Sequence, residues 1–362
     1  MIDLSLLNKI TPFLIIYLAL FGFLILSLVS ESSKFAIVAG LIFSVYFLSV
    51  FAGLRTDSVD PDFRVYRDIF ESIVIDGDVS THVEKGYLFL NWLFGLISDD
   101  FNVFLLLFTS LSLFIVAYSY YRFSYIPILS VILYFVHYYL GRDLIAIRSA
   151  MAYAIILFSV ASFSLSFNNK KFFLRVIVAG FIHKTALLSL VVIPLRYIFD
   201  RFGFLRTMKF SISMMIFLLI FSPKIFLINI ASAFYGSDSV IFIKYFESSD
   251  VLFDLGILNP INIKNMVLIY LGFRYFSDKE KFLLMIFSIF SFALIAFHDF
   301  GLLAARSLSQ IIVLDTIFIA NLCRKVKLEQ RPIAVLLVLT YALFMLVINV
   351  SRPGAFFYES IL

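Results

Sequence analysis

Long apolar runs separated by short charged loops dominate the chain. A helix crossing ~30 Å of hydrocarbon needs about 20 apolar residues at roughly 1.5 Å each. Runs of this kind fall at 11–29, 35–54, 102–119, 126–140, 144–167, 209–230, 263–276, 282–298, 307–323 and 332–350. The pattern predicts an all-α polytopic membrane protein with about ten full spans, one integral membrane domain over 1–362. There is no internal repeat and no soluble domain. The first apolar run lacks the basic flank and small-residue end of a cleavable signal.

Orientation follows from the Lys and Arg content of the short loops. Lys170, Lys171 and Arg175, then Arg201, Arg206 and Lys209, then Arg324, Lys325, Lys327 and Arg331 mark cytoplasmic loops. The acidic segments 55–101 and 231–262 are then periplasmic. The stretch 176–198 is too short for two spans, yet basic loops flank it on both sides. Two readings stay open: a re-entrant hairpin with its apex at His183 and Lys184, or one span that breaks the charge rule. Within 55–101, Phe63, Tyr66, Ile69, Phe70 and Ile73 recur at helical spacing. Asp60 before Pro61 reads as a helix start. This amphipathic helix is expected along the outer membrane–water interface.

Composition agrees with the pattern. The chain is 62% hydrophobic and 15% charged, where soluble domains carry about a quarter charged residues; its mean hydropathy is +1.03. A lone Cys323 excludes an intramolecular disulfide, and no Cys/His cluster points to zinc. The net charge of +5 is not a nucleic-acid signature, because the basic residues sit in loops between apolar segments. No cofactor is expected. Asp60-Pro-Asp62 forms a DxD-like pair of the kind that holds a divalent metal in some glycosyltransferases, but one short pair assigns no metal site.

With this topology the charges near the membrane gather on the outer side: Arg55, Arg142, Asp143, Arg148, His298, Asp299 and Arg306, with His183 and Lys184 if the hairpin reading holds. Such groups cost several kcal/mol at the hydrocarbon edge unless paired or hydrated. Arginines drawn from distant parts of the chain point to a fixed anion, and a lipid-linked pyrophosphate suits their bidentate fork. The plainer alternatives are snorkelling anchors for Arg55 and Arg306, a hydrogen-bonded structural role for His183, and solvation for Glu84. Asp315, mid-span, needs an internal partner.

Five segments together resemble the EpsG family of Wzy-type polysaccharide polymerases. They are Gly53-Leu54-Arg55 with Asp62-Phe63-Arg64-Val65-Tyr66; Glu84-Lys85-Gly86-Tyr87, similar to an E-x-G-[FY] element; Ile147-Arg148-Ser149-Ala150-Met151-Ala152; His183-Lys184-Thr185-Ala186-Leu187; and Ala305-Arg306-Ser307. Lys85 departs from the family, in which proline is common there.

The resemblance implies a fold like the GT-C glycosyltransferases in a bacterial inner membrane. It implies transfer of a growing glycan from undecaprenyl pyrophosphate to a hydroxyl of the next lipid-linked repeat, at a site facing the periplasm. Arg55, Arg148, Arg306 and Lys184 would then hold the pyrophosphate. His183 is the first choice of base, with Glu84 and Asp62 as alternatives. Asp60, Tyr66, Arg142, His298 and Asp299 would contact substrate. Expected partners are the lipid-linked donor and acceptor, membrane lipids and a chain-length regulator, with no nucleic acid. The rival readings are an O-antigen ligase, a glycosyltransferase using polyprenyl-phosphate sugars, and a lipid-linked oligosaccharide flippase. The one-sided arginines and the lack of a repeat weigh against the flippase.

Overall fold

The computed structural model describes residues 4–29, 34–57, 62–78, 83–221, 229 and 256–351. Their helices are α1 Leu4–Val29, α2 Lys34–Gly53, α3 Phe63–Val74, α4 Lys85–Gly95, α5 Phe101–Phe123, α6 Pro127–Tyr134, α7 Ile147–Ser166 and α8 Asn169–Ile182. They continue with α9 Val192–Phe221, α10 Pro260–Tyr275, α11 Asp278–Ala296, α12 Gly301–Ile312, α13 Asp315–Lys325 and α14 Arg331–Ser351. The fold is all-α, with no strand among the described residues. Seven helical stretches there are long and apolar enough to cross a membrane, among shorter apolar helices. Large apolar side chains stand exposed along them, including Phe35, Ile42, Phe114, Phe210 and Leu337. In water that surface would be costly; in lipid it matches its surroundings.

Several apolar windows take a form that hydropathy does not show. The window 126–140 becomes α6 running into a π-helical turn, Phe135–Tyr139, too short to cross ~30 Å at about 1.5 Å per residue. The window 307–323 is interrupted at Val313–Leu314, between α12 and α13. The stretch 176–198 is broken after Ile182, and a 3₁₀ helix, Lys184–Val191, starts at the expected apex. α9 leaves helical backbone at Gly203, where φ is 72°. The acidic stretch 231–255 lies outside the described residues.

Two expectations for the first loop change. α3 begins at Phe63, and Asp62, not Asp60, occupies the position before it; Asp60 itself lies outside the described residues. The apolar face of α3 is covered by protein rather than lipid. Phe63, Tyr66, Phe70 and Ile73 are buried. Phe63 meets Phe101 edge-on at 5.0 Å between ring centroids, Phe70 lies 4.9 Å from Phe104, and Tyr66 lies 6.0 Å from Tyr87. Amphipathic periodicity reveals that a face is buried, not what buries it.

The chain packs as two compact units. One comprises 1–159, 174–186 and 316–362; the other comprises 160–173 and 187–315. In the first, α2 packs along α5, α3 and α4 lie on each other and on α5, and α1 contacts α2, α6 and α14. In the second, α11 is central, contacting α9, α10 and α12.

Candidate active site

The site lies within the first unit and is organised by Glu84. Glu84 precedes α4 with extended backbone (φ −61°, ψ 131°), and its carbonyl accepts from the Tyr87 and Leu88 amides. Its carboxylate is not used to cap its own helix. It reaches three other places in the sequence. Arg148, in the first turn of α7, donates from Nη1 to Oε2 at 2.7 Å. The Lys184 backbone N–H, at the head of the 3₁₀ helix, donates to Oε1 at 3.3 Å. His183 Nδ1 stands 3.6 Å from the same Oε1, an ion-pair distance rather than a full hydrogen bond. All three side chains are mostly buried: 12% of the Glu84 side chain is exposed, 21% of His183 and 28% of Arg148.

Burial by itself pushes the Glu84 carboxyl upward. His183, its own backbone, Arg148 and the Lys184 amide outweigh that and hold it down at about 2. Glu84 is therefore an anion throughout the physiological range. It is ill suited to accept a proton in a reaction near neutral pH.

Gly86 makes this approach possible. A Cβ at Gly86 would lie 2.6 Å from the Phe181 carbonyl oxygen and 2.7 Å from its carbon, both backbone atoms at the end of α8. Only a residue without a side chain lets α4 come this close to the turn that carries His183. Gly86→Ala should push α4 off α8 and lengthen both Glu84 contacts to residues 183 and 184. Its expected result is at least a tenfold loss of activity in well-expressed protein. Wild-type turnover in that variant would show the contact to be dispensable.

Aromatic rings floor the cluster. The Arg148 guanidinium lies 5.7 Å from the Tyr66 centroid and 5.6 Å from that of Tyr87. Tyr87 is fully buried, and burial drives its phenol well above the ordinary value; Tyr66 adds to this, while Asn91, Arg148 and Arg55 oppose it. The two arginines thus flank one tyrosine. Arg55 is itself fully buried, donating to the Ala52 carbonyl at 2.7 Å. On the other side, Tyr153 stacks edge-on to His183, with centroids 6.0 Å apart, and shares a 3.0 Å hydrogen bond with Thr185. Arg142 lies over Tyr138 at 4.5 Å and Tyr153 at 4.9 Å, geometry that favours a desolvated guanidinium. Beside it Asp143, buried, accepts from Tyr134 at 2.7 Å and Ser112 at 3.1 Å.

The first unit therefore brings together Arg55, Tyr66, Glu84, Arg142, Arg148, His183 and Lys184. The part Lys184 plays is its backbone amide; its side chain is exposed. Asp62 stands at the start of α3 without the hydrogen bond of a helix cap. His298 and Asp299 belong to the second unit, where they face each other at 3.3 Å. Arg306 lies on α12, and its side chain is outside what the structure describes. Tyr153 was missed by sequence reasoning. In a run of Ala, Ile and Met it reads as core, and only the fold places its ring on His183.

Residues 38–360, most of the chain, match the EpsG family. The chain belongs to the EpsG family. The family's members are Wzy-type, glycosyltransferase-like polymerases, and this one is a multi-pass membrane protein with a role in polysaccharide assembly. No curated protein and no solved structure matches the chain.

Proposed function

We propose that this EpsG-family protein polymerises oligosaccharide repeat units carried on undecaprenyl pyrophosphate, at the periplasmic face of the bacterial inner membrane. The observation that carries the proposal is the junction of Glu84, Arg148 and His183, drawn from three elements onto one carboxylate in a protein of this family. In the reaction the acceptor hydroxyl oxygen attacks the anomeric carbon of the donor glycan. The bond from that carbon to the pyrophosphate oxygen breaks, and its electron pair leaves with undecaprenyl pyrophosphate. The hydroxyl proton passes to His183. A single displacement of this kind inverts the anomeric centre.

His183 is suited to its role by its surroundings. With Nδ1 toward an anionic Glu84, the favoured tautomer carries hydrogen on Nδ1 and leaves the Nε2 lone pair to take the proton. Glu84 then stabilises the imidazolium that forms. Arg148, the partly exposed arginine of the cluster, supplies fixed positive charge toward the departing pyrophosphate, and the buried Arg55 acts on the same region only through space. No step of this scheme is routed through a metal.

Purified protein given lipid-linked repeat units tests the reading. His183→Ala should lower turnover by about 10²–10⁴, and Arg148→Ala should leave single-repeat substrate unconsumed. Undiminished chain growth in both variants would refute the assignment. Supplying only lipid A core as acceptor separates polymerase from ligase. EDTA sensitivity would favour the metal-dependent class.

A further inference from the structure

Helix α4 has two unlike faces. Tyr87 and Asn91 are fully buried on one. On the other, Lys85, Phe89, Trp92 and Leu96 follow one another at helical spacing, and Ile97 continues the stripe. Phe89 is 55% exposed, Trp92 49%, Leu96 66% and Ile97 67%. Alongside, α3 and α4 enclose a cleft of about 730 Å³ whose lining includes Ile73, Val74, Leu88 and Trp92. The periplasmic-loop helix expected to face the membrane was α3, but its apolar side is covered by protein; α4 is the helix of this loop whose apolar side remains open. So large an apolar stripe is covered by something in the working protein.

Three observations favour lipid over another protein. The stripe ends at Ile97, with only residues 98–100 before α5, a spanning helix, and the loop's other end leaves α2, also a spanning helix. Both ends of the loop are thus fixed where hydrocarbon stops. Exposed Trp92, with Phe89 packed 5.8 Å from it, is of the amphipathic aromatic kind that concentrates at headgroup depth. Lys85, exposed at the polar end of the stripe, can extend its ammonium to lipid phosphates.

We infer that α4 lies in the membrane–water interface on the side of residues 55–101, with Phe89, Trp92, Leu96 and Ile97 among the outer parts of the lipid chains and Lys85 among the headgroups. Glu84, immediately before α4, then sits at headgroup depth, where a lipid-linked anion already resides. That consequence rests on the proposed function; the placement of α4 does not.

Trp92 is the chain's single tryptophan, so its fluorescence reports this helix alone. The full-length protein is reconstituted into vesicles of phosphatidylcholine and phosphatidylglycerol carrying bromine at shallow or deep acyl positions. The emission should be blue-shifted, quenched severalfold by shallow bromines, less by deep ones, and little by iodide present on both sides. Strong iodide quenching without bromine quenching would place α4 in water and overturn the inference. Resistance to both quenchers would mean that a protein surface, such as a second copy, covers the face, and would overturn it equally. Neither result bears on whether Glu84 and His183 take part in chemistry, which turnover measures separately.

Discussion

Glu84→Gln is expected to lower polymer-forming kcat by about 10²–10⁴ while the protein still inserts and folds, an effect as large as deleting the base it serves. The amide keeps the shape of the side chain but removes its charge. The guanidinium of Arg148 then has no counter-ion at 2.7 Å, and the imidazolium formed at His183 has no anion beside it. Glu84→Asp keeps the charge but withdraws it by one methylene, and should recover part of the rate. A kcat within tenfold of wild type for Glu84→Gln would show that the carboxylate does not act through His183. The same substitution has a signature in stability. The Glu84 carboxyl is held down at about 2 against an ordinary value of 4.5. A depressed carboxylate stabilises the fold fully above its unfolded value and loses that contribution as pH falls through the folded one. The contribution, up to about 3 kcal/mol for a shift of this size, should be present at pH 7, decline below about pH 4.5 and be gone near pH 2. Thermal unfolding in detergent, followed as a function of pH, should show that decline in wild type and a flatter curve in Glu84→Gln.

The spans were legible in the sequence because a bilayer imposes a length and a polarity that apolar runs must meet. α1, α2, α5, α7 and α14 lie close to their windows. What failed to show was the interior of the short runs. The π turn at Phe135–Tyr139 and the break at Val313–Leu314 leave hydropathy unchanged, since each replaces one backbone hydrogen-bond pattern with another among equally apolar residues. In the site, charge was the readable signal. Arg148 and His183 stood out as polar groups at a membrane edge, Glu84 only through the family resemblance, and the three meet. Their pairing was less readable. Arg148 reads in isolation as an anion clamp, whereas in the fold it already holds a carboxylate from 64 positions away. The small residues of the recognised segments have steric roles that only packing reveals: Gly86 admits the Phe181 backbone, and a Cβ at Gly53 would meet Leu106 at 2.7 Å, where α2 closes on α5. Arg55, two positions after Gly53, is drawn into the interior at that closure instead of snorkelling outward; Asn102 ties it down by donating to the Gly53 and Arg55 carbonyls.

Asp315 was the polar residue of the spans without an assigned partner, and the second unit supplies one in Lys264. Asp315 heads α13 with no exposure, and only 12% of the Lys264 side chain, near the start of α10, is exposed. Their contact is a largely buried ion pair. Removing one member leaves the other charge buried without its ion-pair partner. Lys264→Ala should therefore cost about 3–5 kcal/mol, seen as a fall of on the order of 10 °C in the temperature at which the detergent-solubilised protein loses its monodisperse chromatographic peak. Asp315→Leu alone should cost a similar amount, because it leaves the ammonium buried. The double variant Lys264→Met with Asp315→Leu replaces both charges by apolar groups of comparable volume and should return close to wild-type stability. Strong destabilisation in each single variant with recovery in the double one identifies the pair as a packing device in which each charge offsets the burial of the other. If the double variant folds as well as wild type but no longer extends glycan chains, the charges have a part in turnover that stability does not register. Single variants as stable as wild type would mean that the two side chains do not form a desolvated pair at all.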